Sequence, residues 1–332
     1  MKVINLKALG QNQISFYLAL EEYLLDNLTE DIFFLWDIPS SIVIGRNQLL
    51  YSEVNLQFAK AMNVPIYRRP SGGGAIFADE NCFMYSFLSQ EYNRDLLYQK
   101  FLTKLFEALK NLGLDITFSG RNDLLFLGKK FSGTAVLQTS KGSVLHGTFL
   151  YDTDIALLVE ALTVDPDKII SKGIKSVSER VINLKPYLKL SKYELMEYLN
   201  NFFATFTYEL TSEEVQKVKT LEQKYLDPAW IEGKNPPFTV KVSQRFAYGK
   251  VETFVYVKKN VIESLTITGD FFEKRPILEF SEQFKNVPFS ESAISEVLNK
   301  HSFSDYIEGA TNDDIRSLLL EGGINSEKNS SI

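Results

Sequence analysis

Apolar residues at Ile14, Tyr17, Leu18, Leu24, Leu25 and Leu28 follow the spacing of a helix that buries one face. Glu21 interrupts this stripe. An acid in such a place is ordinarily tilted to solvent; the alternative is that it faces a pocket. Apolar runs at 32–36 and 42–44 are too brief for helices and predict buried strands, the second closing on the turn Gly45-Arg46-Asn47-Gln48. Helical spacing returns over 96–112, with Asp95 as the expected N-cap and Gly113 as the stop. Strand-like segments lie at 83–88, 116–118, 124–127 and 144–151. Strands interleaved with helices predict an α/β sheet rather than a bundle or a sandwich.

In the second half, two capping boxes, Ser191-x-x-Glu194 and Thr211-x-x-Glu214, predict helices running to about 204 and 226. Prolines then interrupt the pattern, from Asp227-Pro228-Ala229-Trp230 to Gly233-Lys234-Asn235-Pro236-Pro237. This stretch is expected to lack regular structure. Beyond it, 250–257 and 261–268 alternate around Lys258-Lys259-Asn260 and predict a hairpin. Helices are expected near 290–300 and 312–321, with a polar end from Gly322 onward. The expected division is a larger domain over 1–242, its linker at about 227–242, a smaller one over 243–325, and a disordered tail at 326–332. No internal repeat is evident.

Composition narrows the classes without choosing among them. A chain of 332 residues, 45% hydrophobic and 23% charged, suits a large globular domain with an accessory one. A net charge of -6 argues against general nucleic-acid binding, which needs a basic footprint. The single cysteine, Cys82, excludes internal disulfides, and two histidines, His146 and His301, argue against a multi-histidine metal centre. The segment Met1-Lys2-Val3-Ile4-Asn5-Leu6-Lys7 lacks an apolar export signal, and no run is long enough to span a bilayer. The expectation is a soluble, reduced, cytoplasmic protein, a monomer without membrane contact.

Candidate chemistry concentrates in four segments. In Arg68-Arg69-Pro70-Ser71-Gly72-Gly73-Gly74-Ala75-Ile76-Phe77, three successive glycines are costly to order. Freed of Cβ atoms, their N–H groups can curl around an anion, with two arginines adding charge; the plain alternative is a flexible surface turn. The segment is neither a P-loop nor a dinucleotide fingerprint. In Gly120-Arg121-Asn122-Asp123, the aspartate can hold Mg²⁺ with phosphates supplying other ligands. The following Gly128-Lys129-Lys130-Phe131-Ser132-Gly133-Thr134-Ala135 would place Lys130 and Ser132 on one face of a regularly alternating strand. Two lysines in a hairpin also fit a solvated turn. His146-Gly147-Thr148-Phe149-Leu150 is a strand with a lone histidine, and Lys172-Gly173-Ile174-Lys175-Ser176-Val177 with Arg180 is a basic loop.

Taken together and in order, these segments resemble the lipoate–protein ligase family. The resemblance rests on Arg-Arg-x-Ser-Gly-Gly-Gly-Ala at 68–75, Gly-Arg-Asn-Asp at 120–123, Gly-Lys-Lys-x-Ser-Gly-x-Ala at 128–135, His-Gly-Thr at 146–148 and Lys-Gly-Ile-x-Ser-Val-x-x-Arg-Val-x-Asn-Leu at 172–184. Trp36, Gly45-Arg46, Trp230, Gly233 and Pro236 also sit where that family has them, so the similarity covers about residues 14–325. It implies an α/β (α+β) chain: a biotin/lipoate-protein ligase-like catalytic domain with a mixed sheet, and a small C-terminal α/β accessory domain. It also implies activation of lipoate by ATP and Mg²⁺ to lipoyl-adenylate, without a tightly bound prosthetic group. The acyl group then passes to a lysine on a lipoyl domain of a 2-oxoacid dehydrogenase E2 subunit or on the glycine cleavage H protein.

By position, the resemblance makes Lys130 the catalytic residue, touching both nucleotide and lipoate. Arg69, Gly74, Ala75, Ile76, Phe77, Asn122 and Asp123 would bind ATP, with Asp123 also the candidate Mg²⁺ ligand. Trp36, Ser71, Gly72, Gly73 and His146 would bind lipoate. One departure stands out: the family continues its glycine loop with Phe-His-Asp, and this chain has Phe77-Ala78-Asp79. The strongest rival is an amidotransferase moving acyl groups between carriers through a cysteine nucleophile, for which Cys82 is the candidate. Its apolar setting, Cys82-Phe83-Met84-Tyr85, favours an inert core residue. A non-catalytic sensor of lipoylated carriers is a third reading, which has no need of Lys130, Asp123 and the glycine loop together.

Overall fold

The computed structural model describes residues 1–120, 122–162, 175, 177–233 and 236–328, and side chains up to residue 320. The basic loop's residues 172–174 and 176, together with Arg121, lie outside the described residues. Strand β1 (Lys2–Ile4) leads into the helix Ile14–Asp26, followed by β2 (Ile32–Trp36), β3 (Ser41–Ile44), β4 (Ile66–Arg68), β5 (Ile76–Ala78) and β6 (Cys82–Ser89). After the helix Arg94–Asn111 come β7 (Ile116–Phe118), β8 (Asp123–Phe126), β9 (Lys129–Thr139) and β10 (Gly142–Leu150), then β11 (Phe206–Tyr208). These build an eight-stranded mixed sheet in the order β11-β1-β2-β6-β10-β9-β8-β7 and a small sheet β4-β3-β5.

Both faces of the large sheet are covered, so its central strands are buried along their whole length instead of alternating. Odd positions of β2 and β6 (Phe33, Leu35, Phe83, Tyr85, Phe87) pack against the helices Arg94–Asn111 and Lys192–Phe203. Even positions (Phe34, Trp36, Cys82, Met84, Leu88) pack with Val144 against Ile14–Asp26 and Ser212–Leu226. The register Phe34↔Ser86↔His146 runs across three neighbouring strands and places three residues in one row on that second face.

The chain forms two compact units: 1–44, 50–71 and 75–231 make the first, and 45–49, 72–74 and 232–332 the second. The second holds a three-stranded meander, β12 (Val240–Phe246), β13 (Gly249–Lys258) and β14 (Val261–Gly269), packed with helices Ile277–Glu282, Glu291–Lys300 and Asn312–Lys328. Lys259 and Asn260 take φ of 49° and 60°, as a tight two-residue hairpin turn requires. Among the described residues no helix is long and apolar enough to cross a membrane.

Several boundaries differ from expectation for physical reasons. The N-cap of Arg94–Asn111 is Asn93, whose side chain accepts from Leu96 N at 3.1 Å, so Asp95 sits in the first turn. The proline stretch contains a short helix, Pro228–Glu232, because proline suits the first helical position and Asp227 caps Ala229 N at 2.9 Å. Residue 242 lies inside β12, whose half-buried Val240, Val242 and Phe246 alternate with exposed polar residues and pack on the second unit's core. The last helix continues through Gly322 and Gly323 to Lys328, beyond the expected start of the tail.

Candidate active site

The row Phe34–Ser86–His146 faces the helix Ile14–Asp26 and meets Glu21 there. Glu21 is 1% exposed, so the solvent-facing expectation is wrong. Its carboxylate accepts from Ser86 Oγ at 2.5 Å and lies 2.9 and 3.1 Å from His146 Nδ1. With the hydrogen on Nδ1, His146 Nε2 accepts from the Ser71 hydroxyl at 2.7 Å. Trp36 Nε1 donates to Ser86 Oγ at 2.7 Å, and its ring stacks on Tyr17 at 5.0 Å and meets His146 edge-on at 6.1 Å. Five buried polar side chains thus satisfy one another, which is how such groups avoid a desolvation penalty.

This network brings Trp36, Ser71 and His146 together and adds Glu21 and Ser86, which sequence reasoning did not assign. The available signal was an acid in an otherwise apolar helix face and a serine inside an apolar strand.

The second constellation lies on the β8–β9 hairpin, whose turn residues Leu127 and Gly128 take φ of 52° and 73°. Register runs Asp123↔Gly133, Leu124↔Ser132, then Leu125↔Lys130, leaving Phe131 unopposed in a bulge. The bulge overturns the expectation that Lys130 and Ser132 share a face. Ser132 is buried and bonds Tyr85 OH at 3.1 Å, whereas Lys130 joins Gly133 and Asp123 on the opposite face. Lys130 Nζ stands 2.7 Å from Asp123 Oδ1, with side chains 37% and 32% exposed. It is an ion pair by distance, yet Oδ1 receives no well-aligned hydrogen bond among the described residues. Asn122 is held nearby, its carbonyl accepting from Thr134 N at 2.7 Å and Thr134 Oγ1 at 2.9 Å.

Of the two arginines, Arg68 donates from Nε to the carbonyls of Trp230 and Ile231, each at 3.0 Å, and Trp230 Nε1 returns a bond to Arg68 O at 2.8 Å. Arg69 is 6% exposed, and burial lowers its pKa to about 10, so it stays charged at neutral pH. Ile76 and Phe77 lie on β5, and Phe77 packs edge-on against Phe58 at 6.2 Å, away from the histidine network. Ala78, where the resembling family has histidine, is fully buried in the apolar cluster beneath β2 and β6. In the second unit, Gly73 N donates to Phe271 O at 3.2 Å, and a Cβ on Gly72 would sit 2.5 Å from that same oxygen. One glycine N–H therefore serves the protein's own backbone here, not an anion. Gly74 leads into Ala75 and β5.

Cys82 is wholly buried, and desolvation pushes its thiol up to about 12, the opposite of a poised nucleophile. Among the described residues no three His, Cys, Asp or Glu side chains gather as a metal cluster.

A family whose description is the lipoyl protein ligase A/B catalytic domain matches residues 13–206, more than half of the chain. The chain belongs to the lipoate–protein ligase family. The bacterial lipoate protein ligase C-terminus matches residues 235–319 of this ligase. Lipoate-protein ligase LplJ of Bacillus subtilis is 31% identical over 316 residues, covering 91% of this chain and 95% of the relative. Lipoate–protein ligase 1 of Staphylococcus aureus is 33% identical over 300 residues, covering 87% and 91%. Among solved structures, P. falciparum LipL1 in complex with lipoate superposes with a TM-score of 0.79 at 26% identity, covering 97% and 99% of the two chains. Lipoate-protein ligase A bound with ATP shares the fold, with a TM-score of 0.59 at 21% identity over 70% of this chain.

Proposed function

We propose that this family member joins lipoate to ATP as lipoyl-adenylate and passes the lipoyl group to a lysine of a lipoyl carrier domain. A lipoate carboxylate oxygen attacks the α-phosphorus and pyrophosphate leaves; the carrier's amine then attacks the acyl carbon, AMP departs, and the amine loses a proton. In the first step two anions must meet, so positive charge and positioning are what a protein can contribute. The observation that carries this reading is Lys130, a half-open ammonium 2.7 Å from Asp123 on the strand next to the one carrying His146. Lys130 would bridge the α-phosphate and the lipoate carboxylate, with Arg69, Gly74, Ala75, Ile76, Phe77 and Asn122 toward the nucleotide. Trp36, Ser71, Gly72, Gly73 and His146 would hold lipoate.

Mg²⁺ is held by one or two carboxylates plus phosphates when it arrives with a nucleotide, and the partly exposed Asp123 carboxylate fits that role. Bound there, the ion would supply charge neutralisation at the phosphates. The carriers that suit this chemistry are E2 lipoyl domains or the glycine cleavage H protein, in the cytoplasm. The cysteine-dependent transfer reading is not favoured, because Cys82 is sealed from solvent.

The test is to incubate the protein with lipoate, ATP, Mg²⁺ and a candidate carrier, and weigh the carrier. A gain of one lipoyl group that requires ATP supports the ligase. A gain that needs only a lipoylated donor protein overturns it.

A further inference from the structure

The Lys130 backbone is fixed on both sides. Lys130 N donates to Arg180 O at 2.8 Å, Ile182 N donates to Lys130 O at 2.9 Å, and across the other edge Lys130 pairs with Leu125. Only its side chain can move. That side chain folds back over Gly133, where a Cβ would stand 2.8 Å from Lys130 Nζ and 2.9 Å from Cε. The Gly133 backbone is itself held, paired with Asp123 on β8 and donating its N–H to Thr148 Oγ1 of β10 at 3.4 Å. Nor is Gly133 a glycine for its backbone, since its φ lies outside the left-handed range.

We propose that Gly133 is a positioning residue for Lys130: its missing side chain is the cradle that sets how low the ammonium lies against Asp123. The imperfect pair with Asp123, close in distance but poorly aligned, holds the ammonium there without locking it. Restoring ordinary contact with a methyl at 133 must lift Nζ by roughly 0.7–1 Å. An error of that size at a reacting centre costs up to about 10²-fold in rate. The catalytic part of this inference rests on the proposed ligase reading; the placement of Lys130 does not.

The experiment measures lipoate- and ATP-dependent pyrophosphate release for wild type, Gly133→Ala, Lys130→Ala and the double variant, alongside the ¹³Cε resonance of Lys130. Gly133→Ala is expected to lower kcat roughly ten- to hundred-fold, with KM for lipoate within about threefold. It should add nothing in the Lys130→Ala background, and the Lys130 resonance should shift. An equal loss with and without Lys130, undiminished turnover, or an unmoved resonance overturns the proposal. Should Gly133→Ala fail to fold, the wild type decides: a nuclear Overhauser contact between the Lys130 Hε and Gly133 Hα protons is expected, and its absence overturns the cradle. A wild type that releases no pyrophosphate refutes the ligase reading, while the resonance still decides where Lys130 sits.

Discussion

The first unit carries two polar constellations of opposite design. The Trp36–Ser86–Glu21–His146–Ser71 network is sealed between sheet and helix, and each member has a partner at 2.5–3.1 Å. The Lys130–Asp123 pair stands about one-third exposed and makes no well-aligned bond. Buried networks of low dielectric are costly to break and hold one geometry. Exposed pairs contribute little to stability and exchange partners readily. The contrast divides the labour: the first fixes Ser71, before the glycine loop, and the second, on the proposed ligase reading, would keep a cation available for an incoming anion.

The largest expected effect is on the exposed side. Lys130→Ala should reduce adenylate formation by about 10²-fold or more, with a melting temperature near that of wild type. A variant that melts much earlier would mean the pair is structural after all. Glu21→Ala should do the reverse. It strands the His146 N–H and the Ser86 hydroxyl in the interior, at about 1–3 kcal/mol each, which denaturant melts can read. If stability barely changes, the network is not the rigid element described here.

Ser71→Ala removes one end of that network and should cost about 1 kcal/mol by the same melts. A larger loss than for Glu21→Ala would reverse the ranking of the two ends. The smallest effect belongs to Cys82. Cys82→Ala should leave acyl transfer unchanged, and loss of transfer would restore the cysteine mechanism. Its folded pKa, pushed up to about 12 from 9.0, means the unfolded chain releases this proton first as pH rises. Stability must therefore fall between about pH 9 and 12, and that slope should be shallower in Cys82→Ala.

How much of this was readable beforehand follows from what kind of physics placed each residue. Helices with both capping-box partners, Lys192–Phe203 and Ser212–Leu226, were legible because the cap is a local signal. The motif positions were legible as residue types in order. Glu21 was not, because its burial depends on Ser86 and His146 meeting it from strands 65 and 125 residues away. The Lys130 face was misread because a bulge at Phe131 resets alternation, and only pairing with β8 reveals it. β12 was missed although Val240, Val242 and Phe246 alternate along it and pack on the second unit's core, because the prolines just before it marked the stretch as linker.

Lipoate-dependent exchange between pyrophosphate and ATP, in wild type and in Lys130→Ala of equal melting temperature, decides whether Lys130 serves adenylate formation. Exchange in the wild type should need lipoate and fall by about 10²-fold in the variant. Exchange that survives loss of Lys130, or is absent from a folded wild type, would contradict that role.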